Sequence, residues 1–258
     1  MKIWGFQKSH MSHKIEIKEG AFVVSDAHYS HIRPDFLDFL KDIYSKKLKP
    51  TQLIFLGDMF DALFGGVSYT QKINQEAIKL LNDISKDIEL IYLEGNHDFN
   101  LKDIFVDAKV FPISKQPLKC KYQGKTVLLA HGDFFTKDSD IAYKIYTKII
   151  RNSFVLLILS KIDSLFGHLI LKKLDKYLGK KNDCKEFIDF REYISQRLKG
   201  KYDCEYFIEG HYHQGKSMDF DDFNYINLGV FACNQRFFTV KSSQELELLE
   251  KKYFSKEK

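Results

Sequence analysis

The sequence predicts an α/β fold carrying a helical insertion, and three observations lead there. Short apolar runs of strand type alternate with amphipathic stretches of helical spacing from residue 21 to about residue 133. Four of those runs, and a fifth at residues 206–209, end in residues that can bind metal or move protons: Ser25-Asp26-Ala27-His28, Gly57-Asp58, Gly95-Asn96-His97-Asp98, His131-Gly132-Asp133 and Gly210-His211-Tyr212-His213. The spacing is 32 residues from Asp26 to Asp58, 38 from Asp58 to Asn96 and 35 from Asn96 to His131, each about one βα repeat. From His131 to His211 it is 80, room for an insertion.

Taken in order, residues 1–20 read as a polar N-terminal extension whose alternating Lys14-Ile15-Glu16-Ile17 is its one strand-like feature. Residues 21–25 form a buried first strand, and Asp26 and His28, two apart, can face one side of an extended segment. His31 follows and reads as an exposed loop histidine. Phe36, Leu37, Phe39, Leu40 and Ile43 have the spacing of a helix lying on a sheet. Leu53-Ile54-Phe55-Leu56 is then a second strand, and a strand, helix, strand unit favours parallel pairing. Sites in open α/β sheets form at the carboxyl ends of the strands, where Asp58 lies. Asp61 either touches a metal-bound water or orders the loop, with a cap or a turn as its plainer role.

Gly65-Gly66 marks a loop, and Ile73, Ala77, Ile78, Leu80 and Leu81 predict the next helix. Leu90-Ile91-Tyr92-Leu93 is the strand that delivers Asn96 and His97. Residues 126–130 deliver His131, residues 206–209 deliver His211 and His213, and residues 225–229 and 236–240 close the fold. The expected division is a core of 21–133 and 202–245, a helical cap of 134–201 and a C-terminal tail of 246–258.

The formal net charge is +5 and unevenly placed. Residues 134–201 hold 15 Lys and Arg against 8 Asp and Glu, net +7, which leaves 25 against 27 elsewhere. The same segment has no proline and carries a long apolar face through Phe154, Leu157, Leu165 and Ile170, ringed by Lys144, Lys148, Arg151, Lys161, Lys172, Lys173 and Lys176. An apolar surface framed by cations suits an anionic lipid or a membrane surface. A helical hairpin packed on itself with solvated lysines is the plainer alternative. The positive charge accompanies aliphatic rather than aromatic residues, which argues against nucleic acid as a partner.

No apolar run approaches the roughly 20 residues of a membrane span, and the first twenty residues lack the apolar centre of a signal peptide, so a cytoplasmic location is expected. Cys120, Cys184, Cys204 and Cys233 are scattered without a Cys-x-x-Cys pair and are expected to be reduced and structural. One Asp-x-His at a strand end is unremarkable, since a lone histidine there is usually a capping or core residue. Five such ends in order are not, because imidazole and carboxylate are ligands of first-row divalent metals, and a carboxylate between two cations can bridge them.

The ordered set Asp26-x-His28, Gly57-Asp58, Gly95-Asn96-His97-Asp98, His131-Gly132-Asp133 and Gly210-His211-x-His213 resembles the calcineurin-like metallophosphoesterases over residues 21 to about 240. The resemblance implies a four-layer sandwich, two mixed β-sheets flanked by helices, with an inserted helical cap. It implies two divalent metal ions, manganese by preference with iron, zinc or cobalt as alternatives. One would be held by Asp26, His28, Asp58 and His213, the other by Asp58, Asn96, His131 and His211. His97 would stabilise charge or protonate the leaving oxygen, with Asp98 holding its ring.

Within that superfamily the chain is similar to the UDP-2,3-diacylglucosamine hydrolases of lipid A synthesis, which also place a basic helical cap after the His-Gly-Asp motif. Asp138, Tyr143, Lys144 and Arg151, with Asp61, would then meet an anionic glycolipid nucleotide. Peripheral contact with the inner face of the membrane would follow. His97 departs from that group, which has arginine there. A general phosphodiesterase and a non-catalytic scaffold on the same fold are the alternatives, the second disfavoured because every ligand position is filled.

Overall fold

A computed structural model of the chain describes residues 15–134, 141–181 and 184–253. The chain opens with β1 (Ile15–Glu16) and β2 (Phe22–Val24), then α1 (Asp35–Tyr44) and β3 (Leu53–Phe55). A small pair, β4 (Leu63–Phe64) with β6 (Asp98–Phe99), brackets α2 (Ser68–Ile73), α3 (Gln75–Asp87) and β5 (Leu90–Leu93). β7 (Lys109–Phe111), β8 (Leu118–Tyr122) and β9 (Lys125–Ala130) follow. The helices α4 (Ile141–Ile150), α5 (Ser153–Leu165), α6 (Leu169–Leu178) and α7 (Phe190–Leu198) come next. The chain closes with β10 (Tyr206–Glu209), β11 (Lys216–Asp219), β12 (Asn224–Asn227), α8 (Phe231–Asn234), β13 (Arg236–Val240) and β14 (Leu248–Lys252).

Two six-stranded mixed sheets result, ordered β14-β13-β2-β3-β5-β7 and β1-β8-β9-β10-β12-β11. Side chains alternate along each strand, and that alternation makes the layers. Phe22, Val24, Phe55 and Tyr92 face outward, where Phe36, Phe39, Leu40 and Ile43 of α1 and Leu81 and Ile84 of α3 cover them. Val23, Ile54, Ile91 and Leu93 face inward and meet Val127, Leu129 and Ile208 of the second sheet. The outer face of that sheet, Leu128, Ala130, Phe207 and Tyr225, is covered by Phe190, Ile194 and Leu198 of α7. The architecture is the four-layer sandwich that the motifs imply.

Register then positions the chemistry. In the first sheet Val23, Ile54 and Ile91 are consecutive partners across parallel strands, so β2, β3 and β5 end at one edge. In the second, Leu129 of β9 pairs with Ile208 of β10, which aligns the ends that lead to His131 and His211.

Several expectations need correction. Residues 15–17 are not an extension: β1 pairs with β8, and Ile15 and Ile17 are buried between the sheets. Nor is the C-terminal segment a tail, because β14 pairs with β13 and Leu246 and Tyr253 are buried. Residues 1–14 and 254–258 lie outside the described residues. The segment 134–201 divides in two, since α7 packs on the core sheet while α4, α5 and α6 stand apart from it. The long apolar face is also broken: α5 and α6 meet at an angle of 103°. Among the described residues no single helix is long and apolar enough to cross a membrane.

The cysteine reading is corrected too, because Cys184 and Cys233 form a disulfide, while Cys120 and Cys204 are free and buried. Their sequence separation of 49 hides a proximity that only the return of the chain through β10 and β12 creates.

Phe39 is fully buried where α1 meets the first sheet, against Phe36, Phe231, Phe237 and Tyr253. Its replacement by alanine should cost about 3–5 kcal/mol of stability, the usual range for a large aromatic removed from a core, read as a lower midpoint in urea unfolding.

Candidate metal centre

The strand ends converge on one buried cluster, and their backbones are bent to do so. Asp26, His28, Asp58, His211 and His213 all have φ between 45° and 63°, the left-handed region that non-glycine residues rarely adopt. Such a conformation persists only where surrounding contacts enforce it. Here the contacts are hydrogen bonds between loops: Asp26 N–H to the Gly57 carbonyl, His28 N–H to the Asp58 carbonyl, and His211 N–H to the Asp26 carboxylate. Two glycines permit the approach. A Cβ on Gly95 would fall 2.2 Å from Asp58 Oδ1, and one on Gly210 would fall 2.5 Å from Asp26 Oδ2.

Two neighbouring groups of donor atoms form. In Asp26, His28 and His213 one donor atom each lies within 4.8 Å of the others, and the same holds for Asp58, His131 and His211. His28 and His97 also come within that distance of Asp58. Asn96 Oδ1 is 3.3 Å from His131 Nε2, which is 3.2 Å from His211 Nδ1 and 3.3 Å from Asp58 Oδ2. The structure thus brings together all seven residues expected to ligate: Asp26, His28, Asp58, Asn96, His131, His211 and His213.

The chemistry of the cluster fits divalent cations. Neither ring nitrogen of the buried His28 makes a hydrogen bond with any described residue, although Nδ1 lies 3.3 Å from Asp61 Oδ1. A buried imidazole without partners is costly unless another acceptor of its lone pair completes it. His131 Nδ1 donates to the Leu56 carbonyl at 2.7 Å, which fixes the tautomer and leaves Nε2 free to ligate. His211 is held neutral, because burial and the adjacent His131 push its pKa down to about 3. Burial alone would raise the Asp26 carboxyl, but His213 at 3.0 Å holds it below the usual carboxylate range. Burial opposes a charge on His131 as well, yet Asp58 beside it lifts this imidazole well above its ordinary value.

The partners behind the ligands differ from expectation at two residues. Asp98 does not hold the His97 ring. Its carboxylate accepts backbone N–H groups from Asp58, Met59 and Gly95 at 3.0, 2.6 and 2.9 Å, together with the Tyr92 hydroxyl at 2.6 Å. It organises two strand-end loops. The His97 ring is held instead by the Asp61 carbonyl, 2.9 Å from Nδ1, and its backbone N–H donates to Asp58 Oδ1. The Asp61 carboxylate lies beside His28 Nδ1, at 3.3 Å, and Arg33, at 3.5 Å. The strand-end pattern singles out these residues but carries no information about which way their side chains turn.

Other residues went unseen in the motifs. Gln116 Oε1 accepts the His131 N–H at 2.7 Å. Arg197 of α7 grips Glu209 with Nη1 at 2.8 and 3.0 Å and the Gly132 carbonyl with Nη2 at 2.7 Å, while the Tyr225 hydroxyl donates to Glu209. A signal was available: Glu209 closes an otherwise apolar buried run, and a buried carboxylate requires a partner.

Beside His97 and Asn96 opens a cavity of about 540 Å³ between the core and the helices α4–α6. Leu156, Leu159, Ile162, Ile170, Leu171 and Leu174 line it. At its polar end Arg151 is fixed through Nη2 to Asp133 and to the Gly95 carbonyl, both at 2.9 Å, and lies over Phe99. Arg151 Nε and Nη1 are buried without hydrogen bonds to described residues. Lys144 is half-buried on α4. Tyr143 lies on the same helix with its side chain outside the described residues, as is Asp138 altogether.

Compared with known proteins, residues 21–215 match the model of the calcineurin-like phosphoesterases. A UDP-2,3-diacylglucosamine hydrolase of Ectopseudomonas mendocina is 28% identical over 196 residues, 74% of this chain and 80% of that protein. The enzyme of the same name from Hamiltonella defensa is 25% identical over 195 residues, 74% and 76% of the two chains. A solved phosphoesterase from E. coli, Yfce, superposes at a TM-score of 0.45 and 12% identity over 86% of this chain and 88% of its own.

Two outcomes are expected from this geometry. Gly95→Ala should displace Asp58 and lower the metal content of the purified protein by half or more, measured by elemental analysis; retention of full content would refute the close-approach argument. Because Asp58, with Asp133 and Asp26 nearby, lifts the His131 imidazole well above its ordinary value against the effect of burial, a cation taking Nε2 has to compete with a proton. Affinity should therefore rise with pH, and calorimetry at pH 7 in buffers of different ionisation enthalpy should register release on the order of one proton per cation at this site.

Proposed function

Given that the chain belongs to the calcineurin-like phosphoesterase family and is a phosphoester hydrolase, we propose that its substrate is UDP-2,3-diacylglucosamine. Cleavage at the pyrophosphate would yield UMP and 2,3-diacylglucosamine 1-phosphate. The observation that carries this reading is the apolar cavity that opens directly on Asn96, His97 and Arg151, because a soluble phosphoester has no use for walls of leucine and isoleucine beside the reacting atoms. The relatives of that name and the basic character of the segment 134–201 support it.

Two divalent cations, manganese in this reading, would supply Lewis acidity to the phosphoryl oxygens and to the attacking water. Asp26, His28, Asp58 and His213 would hold one and Asp58, Asn96, His131 and His211 the other, with Asp58 shared. His97, its Nδ1 tied to the Asp61 carbonyl, presents Nε2 to charge developing on phosphorus or to the departing oxygen. Arg151 offers Nε and Nη1 to the anionic oxygens while Asp133 and Gly95 keep its plane fixed. The acyl chains occupy the cavity under α5 and α6.

The outside of the cap fits the origin of such a substrate. Ile145, Ile149, Phe154, Ile158, Leu165, Phe166 and Leu169 are exposed there, among the lysines of α4–α6. Apolar side chains with cations around them suit peripheral contact with an anionic bilayer, the inner face of the membrane in this reading. His97, where the resemblance leads one to expect arginine, favours a second reading: a general phosphodiesterase for another anionic ester.

The test is hydrolysis of UDP-2,3-diacylglucosamine by metal-stripped protein resupplied with manganese, with UMP followed by mass. Manganese-dependent UMP supports the proposal. Brisk hydrolysis of an aryl phosphodiester with no turnover of the glycolipid would transfer the site to the second reading. Leu171→Ala should raise KM for acylated substrate several-fold and leave an aryl phosphodiester untouched; Leu165, 84% exposed, should have no such effect. His97→Asn should lower kcat by roughly 10²–10⁴-fold with metal content retained.

A further inference from the structure

The cap is seated on the core at the short pair β4 and β6. Val67 and Phe99 of the core pack with Leu156 of α5, and Phe64 and Leu171 border them. Phe64 and Phe99, the last residues of the two strands, stack at 4.7 Å, and the Arg151 guanidinium lies 5.2 Å from the Phe99 ring centroid. β6 begins at Asp98, so His97 directly precedes it. The seat of the cap and the loop of Asn96 and His97 are one stretch of backbone.

Asn100 follows at once. Its φ is 59°, in the left-handed region that asparagine tolerates better than most residues. Both neighbours are held: the Phe99 carbonyl accepts the Gly65 N–H at 2.9 Å, and the Leu101 N–H donates to Glu94 Oε1 at 2.8 Å. Gly65 packs so closely that a Cβ there would fall 1.9 Å from the Asn100 carbonyl oxygen. From this fixed position Asn100 Nδ2 donates to the Arg151 carbonyl at 2.9 Å. That carbonyl falls at the break between α4 and α5, where the leading amides of α5, those of Phe154 and Val155, go to the Asn152 side chain. A carbonyl at a helix end needs a donor from outside the helix. Asn100 thus holds the main chain of Arg151, while Asp133 and the Gly95 carbonyl hold its guanidinium.

We propose that Asn100 is a positioning residue: by fixing the backbone of Arg151 it aims the guanidinium, which lines the apolar cavity with Asn96 and His97, at the phosphoryl group of the substrate. Resting on the role proposed above for Arg151, this holds whether or not the ester is a glycolipid. A long side chain fixed at both ends has little freedom left to lose on binding, so its charge-assisted hydrogen bonds act on the ligand at nearly full strength.

The test is calorimetric binding of inorganic phosphate to the full-length chain in saturating manganese. Asn100→Gly removes the donor and keeps the left-handed backbone, which glycine adopts freely. It is expected to weaken phosphate about threefold to tenfold, the size of one net hydrogen bond. Arg151→Ala should weaken it by roughly tenfold or more, since a charged donor is lost. In the Arg151→Ala background Asn100→Gly should change phosphate affinity by less than about 1.5-fold, because no guanidinium is left to aim. It should still lower the urea midpoint there, because the Arg151 carbonyl remains. Arg151→Gln, which keeps a donor for Asp133, takes the place of Arg151→Ala should that variant fail to fold. Equal losses of phosphate affinity from Asn100→Gly in both backgrounds would assign its effect to the loop of Asn96 and His97 and overturn the proposal. A lowered urea midpoint with unchanged phosphate affinity would overturn it as well, leaving Asn100 as a helix cap alone. So would a phosphate affinity indifferent to Arg151→Ala. No glycolipid enters the measurement, so failure of the lipid reading in its own assay leaves this outcome untouched.

Discussion

The Asp98 carboxylate is the interaction on which the site depends. Four backbone N–H groups, those of Asp58, Met59 and Phe60 after β3 and of Gly95 after β5, end on it together with the hydroxyl of Tyr92 on β5. Without an acceptor at their centre these loops would have to turn their amides toward each other. With one, Asp58 is held in a left-handed conformation close to Gly95, and its side chain reaches the space between the two groups of histidines. Burial and the nearby Asp58 raise the pKa of this carboxyl to about 7 despite the donors around it. Two acids this close beneath a cluster of imidazoles is an arrangement that positive charge above them stabilises.

How far the sequence could be read follows from what each signal measures. The continuous apolar runs 53–56 and 90–93 report strands buried on both faces, and these strands stand where expected. The polar residues at their ends report the edge on which they open, and register brings them together. Short or solvent-facing pairings leave no such mark. β1 has two residues, and β14 reads Leu-Leu-Glu-Lys-Lys, a pattern as suited to a tail as to an edge strand. α7 falls inside the long gap between His131 and His211 that reads as insertion, and only Phe190, Ile194 and Leu198 mark the face that covers a sheet.

Side-chain direction was the least legible property. Asp98 and Asp61 were singled out by position, but their partners lie at the end of another strand or a loop away. Arg197 was invisible as a site residue because its role arises from α7 crossing behind the His-Gly-Asp loop, where it meets Glu209 and the Gly132 carbonyl. The apolar face of the insertion was legible as composition and misread as geometry: the break between α5 and α6 turns Leu156 and Leu171 inward and leaves Leu165 outside.

The cap departs from the core after Phe134 and rejoins it near Cys184, which is bonded to Cys233 on α8. α8 in turn donates its first backbone N–H groups to the Ser25 and Asp26 carbonyls. Return to the core is thus anchored covalently a few residues from the first ligand loop, and departure is anchored by Arg151 on Asp133. Everything between those anchors behaves as a cassette. Its helices can be lengthened, shortened or exchanged in the course of divergence without moving a ligand, so one hydrolytic core can change customers by replacing its roof.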